Sequence, residues 1–192
     1  MASALMHLYV GRFFRNRYQK LTNPPQFYLG CIYPDCVNAF GFALKEVRWP
    51  AHLRAADTLE WYENNRAFYR SHTGKIDENL LLGFIVHNVT DAAFDVHYDS
   101  IIPRDDWRRF GQEQAKETWW TDEILPSLQS AVPVEINGIS KADVTQYVAY
   151  LLDGSRFSGF DGEPVFLTTA VMDTLSDIAY KVVEDLVCTQ NK

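Results

Sequence analysis

Cysteine is scarce in this chain. Its 192 residues include three cysteines, Cys31, Cys36 and Cys188. An odd number without dense spacing excludes a disulfide scaffold and is typical of thiols that stay reduced. Cys31 and Cys36 have no second pair with which to form a cysteine zinc site, so we predict that both are small buried side chains.

Long apolar runs and an excess of positive charge are absent as well. No run of about 18 apolar residues occurs, which excludes a membrane-spanning helix. The 18 basic residues face 25 acidic ones, so a net charge of −7 would not hold nucleic acid or an anionic membrane by bulk attraction. Residues 1–8 contain no basic region followed by an apolar one, and we therefore expect a cytoplasmic protein without a signal peptide.

The residues that are present are sufficient for one large core. Hydrophobic residues make up 47% of the chain and aromatic residues 14%. We predict a single all-α domain over residues 1–192, with about six or seven helices. In this prediction residues 1–100 carry the candidate metal ligands, and residues 101–192 form a helical packing half.

Capping residues and prolines indicate where the first helices begin. Ser3 is placed to cap the first helix, and Pro24 to open the second. Pro50 predicts the start of a third helix, which would carry His52 on one of its faces.

Similar signals mark helices in the second half. Residues 107–120 have a helical pattern, in which Glu113 and Glu117 are one turn apart. Two facing carboxylates could bind a metal, although a charged outer face is the commoner explanation. Ser140 has a capping-type helix start, and the pair at 163–164 (Glu-Pro) predicts the start of a long final helix.

Residues 80–97 form the most informative stretch. Read as a helix, it places His87 and Asp91 on the stripe that also carries Leu80 and Phe84. A buried imidazole or carboxylate costs several kcal/mol unless it is paired, hydrogen-bonded or coordinated. A histidine and an aspartate four residues apart can bind one ion, and zinc, iron or manganese suits such ligands. The alternative is a His–Asp pair that satisfies itself inside a helix bundle.

Three more polar residues lie next to apolar segments in the first half. His7 lies among the apolar residues of the first helix, and Asp35 follows Pro34 on a rigid turn. His97 lies just beyond the central helix. Each also has an ordinary interpretation, as a core histidine, a capping aspartate and a solvated histidine.

Three motifs together resemble a known family. They are Phe27-Tyr28-Leu29-Gly30-x3-Pro34-Asp35, His52-Leu53-Arg54, and Gly83-Phe84-Ile85-Val86-His87-x3-Asp91-x5-His97. In content and order they are similar to motifs of the zinc-dependent phospholipase C/P1 nuclease superfamily, in particular its small bacterial members. The His-x3-Asp-x5-His spacing is the most specific part, and the resemblance covers roughly residues 5–100.

The resemblance implies a helical bundle of that superfamily and a set of metal ligands. One ion would be bound by Asp35, His52, His87 and Asp91. His7 would bind a neighbouring ion, with Asp91 bridging the two. Asp35 and Asp91 would be the catalytic carboxylates, since a bridged pair of cations activates a shared water for attack on phosphorus.

Departures from the family pattern limit the number of ions. His97 resembles the first ligand of a further ion, but no histidine follows it that could complete that site. No tryptophan precedes His7, where the secreted members have a tryptophan ligand. We therefore expect one or two ions, of zinc or of iron or manganese.

The expected function is that of a metal-dependent hydrolase acting on a small-molecule phosphoester. Arg54, Lys45 and Arg48 are the candidates for a positive group near the phosphate. One alternative is a non-catalytic helical protein in which a metal or a His–Asp network holds helices together. A further alternative, an HD-type metal phosphohydrolase, would need an adjacent His-Asp dipeptide, which this sequence lacks.

Overall fold

The protein is all-helical. The computed structural model describes residues 3–154, 157, 159–160 and 162–188, and these residues form no strand beyond one isolated bridge between Ile136 and Ile139. The predicted all-α class is therefore confirmed. The α-helices are α1 (Ala4–Arg17), α2 (Pro24–Gly30), α3 (Lys45–Ala51), α4 (Thr58–His72), α5 (Glu78–His97), α6 (Arg104–Gln114), α7 (Leu125–Ser130), α8 (Lys141–Leu152) and α9 (Thr169–Cys188). A 3-10 helix spans Tyr33–Asn38, and a π-helical turn spans Trp120–Ile124.

Helix α5 is the centre of the bundle. It is buried on every side from Leu80 to Phe94, because α1, α2, α4 and α9 all pack against it. A helix that is apolar around its whole circumference is expected in the middle of a core rather than at its surface. The polar residues in its middle, including His87 and Asp91, are consequently enclosed by the core.

Two glycines let α2 and α5 cross at close range. A Cβ added to Gly30 would lie 2.3 Å from the carbonyl oxygen of Leu80, and one added to Gly83 would lie 2.1 Å from that of Phe27. No other residue fits at either position without moving a backbone. This contact brings the chain just after α2, including Cys31, against the middle of α5.

The turn after α3 differs from the prediction. Pro50 lies near the end of α3 rather than at the start of a helix, and His52 is the first residue after it. Leu53 then adopts a left-handed conformation with φ of 51°, which a helix cannot accommodate. The expected helical face around His52 is therefore wrong. The indole Nε1 of Trp61 holds the turn by donating to the carbonyl oxygen of His52 at 2.8 Å.

In the second half, one predicted helix start is confirmed and another lies later in the chain. Ser140 and Asp143 form a reciprocal capping box at the start of α8. The final helix begins at Thr169 instead of at residue 163. The Asp106 carboxylate accepts hydrogen bonds from the backbone N–H groups of residues 165–167, and it thereby holds this segment in a non-helical path. Residues 107–120 do not form one helix, since α6 ends at Gln114.

None of the helices in the described ranges combines the length and the apolar character that a bilayer crossing needs.

Candidate metal centre

Five of the six predicted ligands converge at the middle of α5. They come from four separate parts of the chain: His7 from α1, Asp35 from the 3-10 helix, His52 from the turn after α3, and His87 and Asp91 from α5. All five are buried, and Asp35 is the most accessible of them at 5% exposure. Such a set of enclosed polar groups requires compensation by pairing or coordination.

The ligand atoms form two overlapping groups. Atoms of Asp35, His52 and His87 lie within 4.8 Å of one another, and so do atoms of His7, His87 and Asp91. Nε2 of His52 lies 3.5 Å from Oδ1 of Asp35 and 3.7 Å from Oδ2 of Asp91. Oδ2 of Asp91 is also 3.8 Å from Nε2 of His87. Ligands at about 2.0–2.1 Å from a tetrahedral ion are separated from one another by roughly 3.3–3.5 Å, so the spacing fits an ion with slight contraction.

Asp91 lies between the two groups. Its Oδ2 atom is near His52 and His87, whereas its Oδ1 atom is 3.4 Å from Nε2 of His7. The His7 ring is stacked on the His87 ring with 3.6 Å between centroids. A carboxylate with one oxygen in each group is the geometry that a bridge between two cations requires.

Backbone carbonyls orient two of the imidazoles. Nδ1 of His87 is 2.8 Å from the carbonyl oxygen of Cys31, and Nδ1 of His52 is 2.8 Å from that of Arg48. A carbonyl oxygen only accepts, so each Nδ1 carries a proton; Nε2 keeps its lone pair where the ring is neutral, as in His87, whereas the burial of His52 is outweighed by Asp35 and Asp91, which raise the pKa of His52. Histidine ligands of metals are commonly fixed in this way.

Ring nitrogens of the three cluster histidines have no hydrogen-bond partner among the residues that the structure describes. This holds for Nε2 of His52, Nε2 of His87 and both ring nitrogens of His7, all of which are buried. Three imidazoles that leave their ring nitrogens unsatisfied in one core are unusual, because buried polar atoms are nearly always hydrogen-bonded. Coordination to a cation would satisfy them.

The electrostatics of the cluster keep its carboxylates charged. Burial alone would raise the pKa of Asp91, but the neighbouring His7 and His87 lower it well below its usual range. The pKa of Asp35 is lowered in the same way, since His52 and His87 outweigh its burial. Burial, and then the adjacent His7 imidazole, lower the pKa of His87 to about 3, so that this ring is neutral. Anionic carboxylates and a neutral imidazole are the forms that bind metals.

His97 lies outside the cluster. It is an exposed residue at the last position of α5, with its ring beside Tyr98. At about 100° per residue, six residues from Asp91 turn it to a different side of the helix. The structure therefore does not place His97 among the ligands. The carboxylates of Glu113 and Glu117 also lie apart from this centre, and Glu113 accepts a hydrogen bond from Lys116 at 2.6 Å.

A cavity of about 710 Å³ adjoins the cluster. Asp35 forms part of its wall, together with Arg54, Asp95 and aromatic side chains that include Trp107 and Phe160. The sequence indicates Arg54 as a candidate but not its pairing with Asp95 or the aromatic wall. These residues come from distant parts of the chain, so no local spacing could have indicated them.

Comparison of the chain with family models, with curated proteins and with solved structures finds no match.

Proposed function

We propose that this protein is a metal-dependent hydrolase of a phosphoester, with one or two metal ions at the buried His–Asp cluster. The observation that carries the proposal is the convergence of unsatisfied imidazole nitrogens on a shared carboxylate, Asp91. The order and spacing of the motifs support placement in the phospholipase C/P1 nuclease superfamily and a bundle of that type.

The residues divide into two ligand sets. Asp35, His52, His87 and Asp91 would hold one ion, and His7 with the second oxygen of Asp91 would hold another. Zinc, iron and manganese all suit imidazole and carboxylate ligands. When bound, such ions supply Lewis acidity towards a phosphoryl oxygen and lower the pKa of water.

The chain itself supplies orientation and access. The carbonyl oxygens of Cys31 and Arg48 fix the ring tautomers, so that the metal-binding nitrogens need no rearrangement. Asp35 borders the cavity, and a substrate in that cavity would approach the cluster from its side. This is an argument for a catalytic site, because a structural metal site is closed to its surroundings.

The rival hypothesis is a purely structural cluster that joins the N-terminal helices. The depth of burial of His7, His87 and Asp91 favours it, since all three have no measurable exposure. The two hypotheses differ in whether phosphoesters are hydrolysed and in whether the metal can be exchanged without unfolding.

Metal content is the first measurement. Tag-free protein is analysed by elemental mass spectrometry, alongside His87→Ala and Asp91→Ala. His72→Ala and His97→Ala serve as matched controls, since both histidines lie outside the cluster. We expect one or two ions per chain, lost in the first two variants and retained in both controls.

Hydrolysis is then assayed with 4-nitrophenyl phosphate and bis(4-nitrophenyl) phosphate. Turnover that requires metal and is lost in Asp91→Ala supports the proposal. A metal that is released only on unfolding, with no turnover, favours the structural hypothesis. Protein that neither contains a metal nor takes up zinc, iron or manganese contradicts both metal hypotheses and leaves a buried His–Asp network.

A further inference from the structure

Arg54 has a strongly constrained cationic side chain in the wall of the cavity beside the cluster. Its guanidinium is 5.3 Å from the ring centroid of Trp49 and 4.9 Å from that of Trp61. One terminal nitrogen pairs with the carboxylate of Asp95. Two aromatic rings and a carboxylate thus hold the planar group in one orientation.

The backbone that carries Arg54 is equally constrained. The backbone N–H of Arg54 donates to the carbonyl oxygen of Trp49 at 2.9 Å. Nδ2 of Asn64 donates to the carbonyl oxygen of Leu53 at 3.2 Å. Asn137 donates from Nδ2 to the carbonyl oxygen of Pro50 at 2.8 Å. A left-handed conformation at a non-glycine residue such as Leu53 is costly and persists only where the surroundings enforce it. The same rigid turn therefore presents both His52 and Arg54.

Arg54 lies close to the metal cluster. Its partner Asp95 is one turn along α5 from Asp91, a rise of about 6 Å. Arg54 also lines the cavity whose wall includes Asp35. A group bound by Arg54 in this cavity would therefore be next to the candidate metal ligands.

Several donors in the cavity wall have no hydrogen-bond partner within the part of the chain that the structure describes. They are Nε of Arg54, Oγ of Ser3 and the indole Nε1 of Trp107, all of which are buried atoms. Trp107 itself is only 9% exposed. Side chains with N–H and O–H donors grouped in one wall favour a ligand that is rich in acceptor oxygens.

The rest of the wall indicates what else such a ligand contains. Four arginines and three aspartates line the cavity, so its charges nearly balance and an anion would depend on one particular arginine rather than on the bulk charge of the wall. The apolar part of the wall is mainly aromatic and includes Phe42, Trp107, Tyr147, Tyr150, Phe157 and Phe160. A cavity of about 710 Å³ can enclose a small organic molecule as well as an anionic group.

We propose that Arg54 binds the phosphoryl oxygens of the substrate, and that the substrate is a phosphate ester with an aromatic organic group. This inference rests on the proposed hydrolase function, which it extends to a substrate class. Arginine suits the role because its guanidinium is always charged and keeps N–H donors for phosphoryl oxygens while one terminal nitrogen pairs with Asp95. Asp95 is the positioning residue for the guanidinium.

Binding of non-hydrolysable phosphonates tests the proposal without any need for turnover. Titration calorimetry with phenylphosphonate and methylphosphonate is performed on wild type, Arg54→Gln and Arg108→Gln, with metal content measured on the same samples. Arg108 is a matched control, since it lines the same cavity but is exposed and lies 3.4 Å from Asp105. We expect Arg54→Gln to weaken both phosphonates by about tenfold or more, and Arg108→Gln by less than about threefold.

The two phosphonates also test the aromatic group. Wild type is expected to bind phenylphosphonate about tenfold more tightly than methylphosphonate, and Arg54→Gln is expected to retain this ratio. Equal affinity for the two compounds overturns the aromatic part of the proposal. Phosphonate affinity in Arg54→Gln within twofold of wild type overturns the role of Arg54, as does an equal loss in Arg108→Gln.

Folding and metal content separate this inference from the hydrolase proposal. If thermal melting shows that Arg54→Gln is unfolded, Arg54→Lys decides the matter. The lysine keeps the positive charge but lacks the planar guanidinium, and we expect it to bind phosphonate at least about threefold more weakly. Unchanged phosphonate binding in Arg54→Lys overturns the proposal.

If wild type binds no metal, the hydrolase proposal fails, and the same titrations on metal-free protein still measure the dependence on Arg54. Wild type with metal and turnover, but with Arg54-independent phosphonate binding, contradicts this inference alone.

Discussion

Individual side chains at the centre of the molecule are spaced more widely than normal mutual hydrogen bonds. Nε2 of His52 is 3.5 Å from Asp35, and Nε2 of His87 is 3.8 Å from Asp91. These separations exceed the 2.7–3.2 Å or so of a normal N–H···O hydrogen bond. If the histidines and aspartates satisfied one another by hydrogen bonds, these nitrogen–oxygen distances would be expected to be shorter.

Asp106 shows how a buried carboxylate is satisfied elsewhere in the same protein. It is 2% exposed and accepts from the N–H groups of Val165, Phe166 and Leu167. Burial alone would raise the pKa of Asp106, but these donors, together with Arg109, outweigh it and lower the pKa. In the cluster, by contrast, the nearest neighbours of the Asp35 and Asp91 carboxylates are imidazole rings.

At the residue scale we predict a pH-dependent contribution of Asp106 to stability. A carboxyl group with a lowered folded-state pKa stabilises the fold above its unfolded pKa of about 3.9, and this contribution disappears as the pH falls through the folded value. Asp106→Asn should cost about 2 kcal/mol at pH 7 and much less in strong acid. Urea unfolding of both proteins from pH 7 down to pH 2 measures this. A difference that is constant with pH contradicts the prediction.

At the scale of the elements, the crossing of α2 and α5 determines the geometry of the centre. Gly30 meets backbone atoms of α5 at 2.3–2.9 Å from where its Cβ would be. The next residue, Cys31, supplies the carbonyl that orients His87. The close crossing of α2 and α5 therefore also sets the ring orientation of His87.

Replacing Gly30 by alanine is expected to disturb both the packing of α2 against α5 and the orientation of His87. Overpacking against backbone costs about 1–3 kcal/mol, and separation of the helices would lengthen the bond to His87. Gly30→Ala should therefore lower the melting temperature and weaken metal binding. Gly111→Ala is the control, because its Cβ would meet only side-chain atoms at 3.7 Å or more, and alanine favours the helix by about 0.5–1 kcal/mol. Chemical denaturation and metal titration of both variants measure these effects, and equal stability of the two contradicts the packing argument.

For the molecule as a whole, the cluster joins segments that are distant in the chain. His7 and Asp91 are 84 positions apart, and α1, α5, the 3-10 helix and the turn after α3 all contribute to it. An ion that binds only the folded state stabilises it through mass action. Metal binding and global stability should consequently be coupled.

Removal of metal is therefore predicted to lower the melting temperature of the whole protein. Metal at about 100 times its dissociation constant adds about 2.7 kcal/mol, which corresponds to about 5–10 °C for a chain of this size. Scanning calorimetry of metal-loaded and chelator-treated protein measures the shift. His87→Ala should show no response to metal, while His97→Ala should respond like wild type. A metal-dependent shift of the same size in His87→Ala would place the ion elsewhere.

The sequence by itself determined the features that depend on short spacings. The four-residue interval between His87 and Asp91 places both on one side of α5, and Ser140 with Asp143 specifies the start of α8. The all-α class and the burial of Cys31 and Cys36 follow from the same local patterns. Each of these depends on hydrogen bonds or hydrophobic periodicity within a few residues.

The tertiary structure decided the features that depend on distant contacts. His52 lies in a turn rather than a helix because Trp61 and other side chains hold the left-handed conformation at Leu53. The start of α9 was decided by Asp106, about 60 residues away, which captures the N–H groups of the segment before it. Arg54 meets Asp95 only once α5 is packed beside the turn. Local propensity cannot encode such choices, since the free energy that selects them is gained only when segments far apart in the chain come into contact.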